Sequence, residues 1–298
     1  MNRRKFLMQT GLVGGGLILA PSVFAETNKK KSELVILHTN DTHSNIDAFP
    51  ENHAKFPGMG GAAKRMTLIQ KIRDEYENVL LLDSGDIFQG TPYFNLFHGE
   101  LEMKLMSEMG YDAATMGNHD FDIGLDGFLN AQRFSNFPFV CSNYDFSKTL
   151  LKEATKPYII LKKGGLKIGI FGIGVALQGL VPADKCQGVN YLHPIQTANA
   201  TAAELKRKGC DLIICLSHLG YDYEDKTRFS DLYLAKNSKD IHVILGGHTH
   251  TFLEKPTLVL NKKNRNVVVN QVGWAGVNIG MLRIDFEKGG FHSEVLVV

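Results

Sequence analysis

The chain has 298 residues, 44% of them hydrophobic and 21% charged, which is enough apolar material for a sizeable core. A formal net charge of +2 excludes a broad electrostatic footprint for a nucleic-acid polymer or a membrane surface. The four cysteines, Cys141, Cys186, Cys210 and Cys215, have neither the C-x-x-C spacing nor the density of a disulfide scaffold, and the two that flank the apolar run "DLIIC" read as buried thiols.

The first 25 residues, "MNRRKFLMQTGLVGGGLILAPSVFA", are set apart by a basic start (Arg3, Arg4, Lys5), a short Gly-rich apolar run and a small-residue end at Ala25. That run is too short to span a membrane, and the pattern predicts an export signal. Arg3-Arg4 followed by Phe6-Leu7 resembles a twin-arginine signal. The expected location is extracytoplasmic, and periplasmic in a Gram-negative cell. Residues 26–32 read as a polar linker, and residues 33–298 as one domain with no stable membrane span.

Within that domain, short apolar runs alternate with helical periodicity, the pattern of an α/β fold. Strands are expected at "LVILH" (34–38), "VLLLD" (79–83), "DAATM" (112–116), "PFVCSN" (138–143), "LKIGIFGI" (166–173), "DLIICLSH" (211–218) and "HVILGGH" (242–248). Helices are expected over 61–76, 94–110 and 196–209. From Thr257 onward "TLVL", "NVVVNQV", "NIGMLRIDF" and "FHSEVLVV" read as successive antiparallel strands joined by Asn/Gly turns.

Five of the earlier strands end in the same chemistry. "LVILHTNDTH" delivers Asp41 and His43, and "VLLLDSGD" delivers Asp83 and Asp86. "AATMGNHDFD" delivers Asn118, His119, Asp120 and Asp122, "LIICLSH" delivers His218, and "VILGGHTH" delivers His248 and His250. Each motif alone has a plainer reading: D-x-H as a turn or helix cap, "GNHD" as a turn, His218 as a core histidine. Together, five strand ends carrying carboxylate, amide and imidazole groups point to a metal site, because ligands of α/β sheets bind outside the carboxyl ends of the strands.

The ordered set D-x-H, G-D, G-N-H-D, strand-final His and G-H-x-H resembles the calcineurin-like metallophosphoesterases. "LHTNDTH", "LLDSGDIFQGTP", "GNHDFDIG", "CSNYDF", "LSHLGYDYED" and "GGHTHTF" resemble their 5'-nucleotidase branch, which includes UDP-sugar hydrolases and 2',3'-cyclic phosphodiesterases. The resemblance runs from about Leu34 to the end. It implies a four-layer α/β/β/α sandwich and a small-molecule phosphoester substrate, a nucleotide or related nucleotide ester. It implies two divalent metal ions, with Asp41, His43 and His250 on one, Asn118, His218 and His248 on the other, and Asp86 bridging.

Chemistry agrees with that ligand set, since two cations about 3.5–4 Å apart need a bridging anion between them. Imidazole and oxygen donors without thiolate suit Mn, Zn or Fe. The Gly pair of "GGHTH" is expected to let the backbone turn sharply.

In the resembling family the His of G-N-H faces the substrate, so His119 is expected to stabilise the transition state or protonate the leaving oxygen. Asp122 is then the group that orients it. The alternative makes His119 a further ligand of the second metal. Asp83 and Asp120 read as supporting or capping groups, His38 as a weak supporting candidate, and Trp274 as packed beneath the late strands. "FPGMGGAAKR" reads as a loop cap before its helix, with an anion site as the other possibility.

Similar exported nucleotidases carry a second, C-terminal domain that clamps the nucleobase. Read as it stands, the sequence is expected to lack such a domain, so the resemblance implies complete phosphoester chemistry and incomplete nucleotide recognition. A separate polypeptide carrying a domain of that type is an expected partner. Two rival readings are a sulfur-ester hydrolase resembling the thiosulfohydrolases and a non-catalytic binding subunit on the same fold.

Overall fold

The computed structural model describes residues 33–225, 227–285 and 290–298; the export-signal and linker readings fall outside these residues. In chain order the strands are β1 (Glu33–Thr39), β2 (Val79–Asp83), β3 (Ala113–Ala114), β4 (Phe139–Val140), β5 (Tyr144–Asp145), β6 (Thr155–Lys156), β7 (Tyr158–Lys163), β8 (Leu166–Gly174), β9 (Asn190–Tyr191), β10 (Leu212–His218), β11 (Val243–Leu245), β12 (Thr257–Leu260), β13 (Asn266–Asn270), β14 (Asn278–Asp285) and β15 (Gly290–Val297). A seven-stranded sheet has the order β15-β14-β1-β2-β3-β4-β6, and a six-stranded sheet has the order β12-β13-β11-β10-β8-β7.

Successive side chains of a strand point to opposite faces, so an all-apolar strand needs cover on both. Along β1 and β2, Leu34, Ile36, Leu80 and Leu82 face the other sheet, where they meet Ile168, Ile170, Leu212 and Ile214. Their neighbours Val35, Leu37 and Leu81 face outward to Ile69, Met103, Met106 and Phe128 on the helices Ala62–Glu75, Glu100–Met109 and Gly124–Gln132. On the far side, Phe171, Ile213, Cys215 and Ile244 meet Ala198, Ala202, Leu205 and Leu234 of the helices Pro194–Arg207 and Asp231–Asn237. Three apolar cores thus separate four layers, helix, sheet, sheet and helix. This is the four-layer α/β/β/α sandwich that the resemblance implies. Among the described residues no helix is long and apolar enough to cross a membrane.

Two expected elements come out differently. The helical pattern over 94–110 is split into Pro92–Phe97 and Glu100–Met109, because His98 and Gly99 between them are left-handed, with φ of +50° and +88°. The late strands do not form one antiparallel run. β12 and β13 pair with each other and join β11 in the six-stranded sheet, whereas β14 and β15 pair with each other and join β1 in the seven-stranded one. The chain therefore crosses from sheet to sheet between Asn270 and Asn278, and this crossing passes the site described next.

Candidate metal centre

β1, β2 and β3 are parallel, as are β10 and β11, so within each sheet their carboxyl ends lie on one edge. The two edges are tied together: Ser84 Oγ donates to Leu245 O at 2.8 Å, His218 Nδ1 to Ser84 O at 2.7 Å, and Val272 N to Asn40 Oδ1 at 3.0 Å. This places residues 40–44, 84–87, 115–119, 218 and 246–250 around one centre. Two groups of potential metal donors result, Asp41, His43 and His250 in one and Asp86, His218 and His248 in the other, each with donor atoms within 4.8 Å of one another. Asp86 Oδ2 reaches both, lying 3.7 Å from His43 Nε2 and 3.0 Å from His218 Nε2.

The backbone that presents these groups is strained. Asp41, His43, Asp86, His248 and His250 all adopt φ between +46° and +75°, a region that costs a non-Gly residue on the order of 1–3 kcal/mol. Cross-loop hydrogen bonds hold them there: Asp41 N to Gly85 O at 2.9 Å, His43 N to Asp86 O at 3.0 Å and Ala275 N to Asp41 O at 2.8 Å. Asp120 accepts from the backbone N–H groups of Asp86, Ile87, Phe88 and Gly117 at 2.8–3.2 Å, so its carboxylate folds the loop that carries Asp86. Asp83 accepts from Thr39 Oγ1 at 2.6 Å and from Gly85 N at 2.8 Å.

The Gly pair of "GGHTH" serves space, not backbone freedom. The left-handed torsions fall on His248 and His250, and neither Gly246 nor Gly247 has positive φ. A Cβ on Gly246 would overlap the Asp231 carboxylate, and one on Gly247 would lie 2.8 Å from His218 Nδ1 and 3.0 Å from Asp41 Oδ2.

The donor chemistry fits divalent cations. His43 Nδ1 lies 3.1 Å from Phe88 O and His218 Nδ1 lies on Ser84 O; a carbonyl only accepts, so both Nδ1 atoms carry hydrogen and each ring turns its Nε2 into the centre. His43 Nε2 and His250 Nε2 are 3.1 Å apart, an arrangement that calls for a cation or a proton between them. Asn118 Oδ1 and His218 Nε2 are buried with no hydrogen-bond partner, in an interior where unsatisfied polar atoms are rare.

Titration behaviour reflects the same crowding. Burial disfavours charge on His218, but the Asp86 and Asp41 carboxylates outweigh it and raise the ring to about 10. Burial and the neighbouring His218 charge lower His248 to about 4. Burial also works against the Asp86 carboxylate, yet the His218, His43 and His119 charges hold its pKa well below the usual range.

His119 stands outside both groups. Its backbone N–H donates to Asp86 Oδ1 at 2.8 Å, and its Nδ1 meets Asp122 Oδ2 at 2.8 Å. That hydrogen bond is the main cause raising its pKa; burial opposes the shift and the Asp86 charge adds to it. His38 lies away from these loops, bridging the two sheets through Asn270 Nδ2 at 2.9 Å, with its pKa lowered to about 3 by burial. The first amide of the helix after "FPGMGG", Ala62 N, is taken by Ile46 O at 2.7 Å.

Trp274 is not beneath the late strands. It sits in the crossing between the sheets, near-parallel to the His250 ring, with centroids 6.1 Å apart.

Sequence reasoning missed Asn40 and Gln271. Asn40 Nδ2 donates to Asp41 Oδ2 at 2.6 Å and to Gly273 O at 2.8 Å. Gln271 is fully buried; its Nε2 donates to Gly247 O at 2.7 Å and its Oε1 accepts from Thr251 N at 2.7 Å. One amide thus grips the chain on both sides of His248 and His250. Gln271→Ala leaves the Thr251 N–H without its partner and Gly247 O held by Thr249 N alone; it is expected to cost about 2 kcal/mol in chemical denaturation and to weaken metal binding at both groups in a calorimetric titration. Wild-type metal affinity in this variant would show that the clamp does not position the histidines.

Comparison with known proteins adds the following. A model of the calcineurin-like phosphoesterase family matches residues 34–252. The snake venom 5'-nucleotidase of Gloydius brevicauda is 32% identical over 278 residues, covering 87% of this chain and 46% of the venom protein. The trifunctional nucleotide phosphoesterase protein YfkN of Bacillus subtilis (strain 168) is 32% identical over 291 residues, covering 87% of this chain and 18% of YfkN. The crystal structure of a 5'-nucleotidase precursor from Thermus thermophilus superposes with a TM-score of 0.78 at 32% identity, covering 89% of this chain and 54% of that one. The chain thus spans about half of the venom protein and a smaller share of YfkN.

Proposed function

The chain belongs to the calcineurin-like phosphoesterase family, whose members use two divalent metals, and from that premise we propose that it is an exported phosphomonoesterase acting on nucleotides. The observation that carries this reading is the pair of three-residue donor groups joined by one carboxylate, Asp86. Asp41, His43 and His250 would hold one cation, Asn118, His218 and His248 the other, and Asp86 both. Such cations neutralise phosphoryl charge and make water a competent nucleophile at neutral pH.

The chain's own residues supply the rest. The strained loops fix the donors before substrate arrives, so little reorganisation is left for the reaction itself. His119, kept apart from the donor groups and backed by Asp122, is placed to give a proton to the leaving oxygen. Water oxygen bonds to phosphorus, the P–O ester bond breaks, the departing alkoxide takes the His119 proton, and one proton of the attacking water returns to the imidazole as hydrogen phosphate leaves. Export rests on residues 1–25.

The test is a panel of nucleotide monophosphates, an aryl phosphate and a sulfate ester, assayed with the Mn- or Zn-loaded chain recovered from the periplasm of a Gram-negative host. Phosphate release is expected. Release of sulfate alone, or of neither, would return the chain to a sulfur-ester hydrolase or a binding subunit, and a cytoplasmic location would remove the export part.

A further inference from the structure

Beside the metal centre lies an array of rings that the chemistry above does not use. Phe49 and Phe56 each approach Trp274, with centroids 5.8 and 6.3 Å away. His53 is stacked on Phe56 at an interplanar angle of 8°, and Phe56 on Phe252 at 25°. Trp274 in turn faces His250 at 28°.

We propose that this array is a stacking platform for a planar aromatic ring carried on the leaving group of the phosphoester substrate, a nucleobase in the first instance. The inference rests on the phosphoesterase reading and specifies which part of this chain recognises the group beyond the phosphate.

Three observations carry it. The rings are held to the metal loops: Ala275 N donates to Asp41 O at 2.8 Å, Asn40 Nδ2 donates to Gly273 O at 2.8 Å, and the Phe252 ring lies so close over Gly273 that any Cβ there would overlap it. The platform is thus positioned before a ligand arrives, which spares the ordering cost of binding.

The array also keeps open surface where a core cluster would be closed. Phe252 is 46% exposed, and Phe49, His53, Phe56 and Trp274 are all partly exposed. Apolar surface with a few polar groups beside a catalytic centre is the usual make-up of a ligand site.

Its polar group suits a base. His53 Nδ1 accepts from Phe56 N at 3.0 Å, so the proton of the neutral ring sits on Nε2, a single donor among stacked rings. Base stacking on aromatic rings tolerates any base, because every base has a π-face. Recognition by this array is therefore of aromatic character, not of base identity.

Adenosine monophosphate and ribose 5-phosphate share the reacting group and differ by the base, so they isolate the platform. In the metal-loaded chain, Phe252→Ala is expected to lower the ratio of kcat/KM for adenosine monophosphate over ribose 5-phosphate by on the order of tenfold, with ribose 5-phosphate turnover unchanged. Trp274 is the only tryptophan of the chain, so its emission reports the platform without any turnover. Adenosine is expected to change it saturably in the wild type and not in Phe252→Ala, while ribose 5-phosphate leaves it unaltered.

An unchanged ratio together with a silent emission would overturn the platform and leave the face to a protein partner; phosphate release from both substrates would in that case keep the phosphoesterase reading. Equal losses on both substrates would reduce the array to structural packing. A saturable response to adenosine with no hydrolysis of either ester would support the base site and sink the phosphoesterase reading instead.

Discussion

Asp86→Ala is expected to strip both metals at once and to lower phosphomonoester turnover by roughly 10³-fold, the several kcal/mol that metal ions contribute to such transition states. The reason is positional. Asp86 Oδ2 is 3.0 Å from His218 Nε2 and 3.7 Å from His43 Nε2, nearer to both donor groups together than Asp41 Oδ1, which lies 3.9 Å from each of the same two nitrogens. Without it, the group built from His218 and His248 has no carboxylate of its own, and two cations would face each other with nothing to offset their repulsion. Loss of Asp41 is less symmetrical, since its oxygens also accept the His248 N–H at 3.0 Å and so shape the loop as well as the site.

Metal content after purification, read by atomic emission, gives the direct measure. Wild-type protein treated with a chelator should lose activity and recover it with Mn or Zn; the Asp86 variant should not recover. Two retained equivalents of metal in Asp86→Ala, or full activity of the chelated wild type, would dispose of the shared-carboxylate reading.

What made this centre readable in the sequence is the chemistry of strand ends. β1, β2 and β10 each hold an unbroken apolar run, Leu34–Leu37, Val79–Leu82 and Leu212–Leu216, buried on both faces, so their borders are plain, and the polar residues that follow are bound to cluster on one edge. β3 and β4 keep only two paired residues each, yet the loops after them fall in the expected place because the sheet order is set by their neighbours. The short helices Gly124–Gln132 and Asp231–Asn237 were not read. The first opens on a glycine and carries another at Gly127, and the second has two turns at most, too little for periodicity to register.

The loop geometry was less legible than its composition. The histidines of "GGHTH" announce themselves, but it is His248 and His250, not the glycines, that take the left-handed torsions. Nothing in the sequence marks this, because the tolerance comes from Gln271, an ordinary amide just beyond β13. Trp274 was misplaced for a related reason: the four late strands look alike in sequence, and the crossing that carries Trp274 to His250 exists only because they are divided between two sheets.

The remaining large effect concerns the proton. His119→Gln is expected to leave both metals in place while lowering kcat for adenosine monophosphate by roughly 10²-fold, the scale of a lost general acid. Retention follows from geometry: the hydrogen bond of His119 to the donor groups is its backbone N–H on Asp86 Oδ1, which glutamine keeps, whereas its ring meets the His43 ring only edge-on and is hydrogen-bonded to Asp122 through Nδ1.

A general acid matters most when the leaving oxygen is a strong base. The loss should therefore be large for an alkyl ester such as ribose 5-phosphate and much smaller for an activated aryl phosphate, whose phenolate departs without help. Asp122→Asn, which removes the carboxylate behind the ring, should show the same substrate dependence to a lesser degree. Equal losses on both esters would make His119 an electrostatic stabiliser of the phosphoryl oxygens, and loss of metal from His119→Gln would make it a ligand. A steep dependence on leaving-group basicity that disappears in the variant is the result that fixes the imidazole as the proton donor.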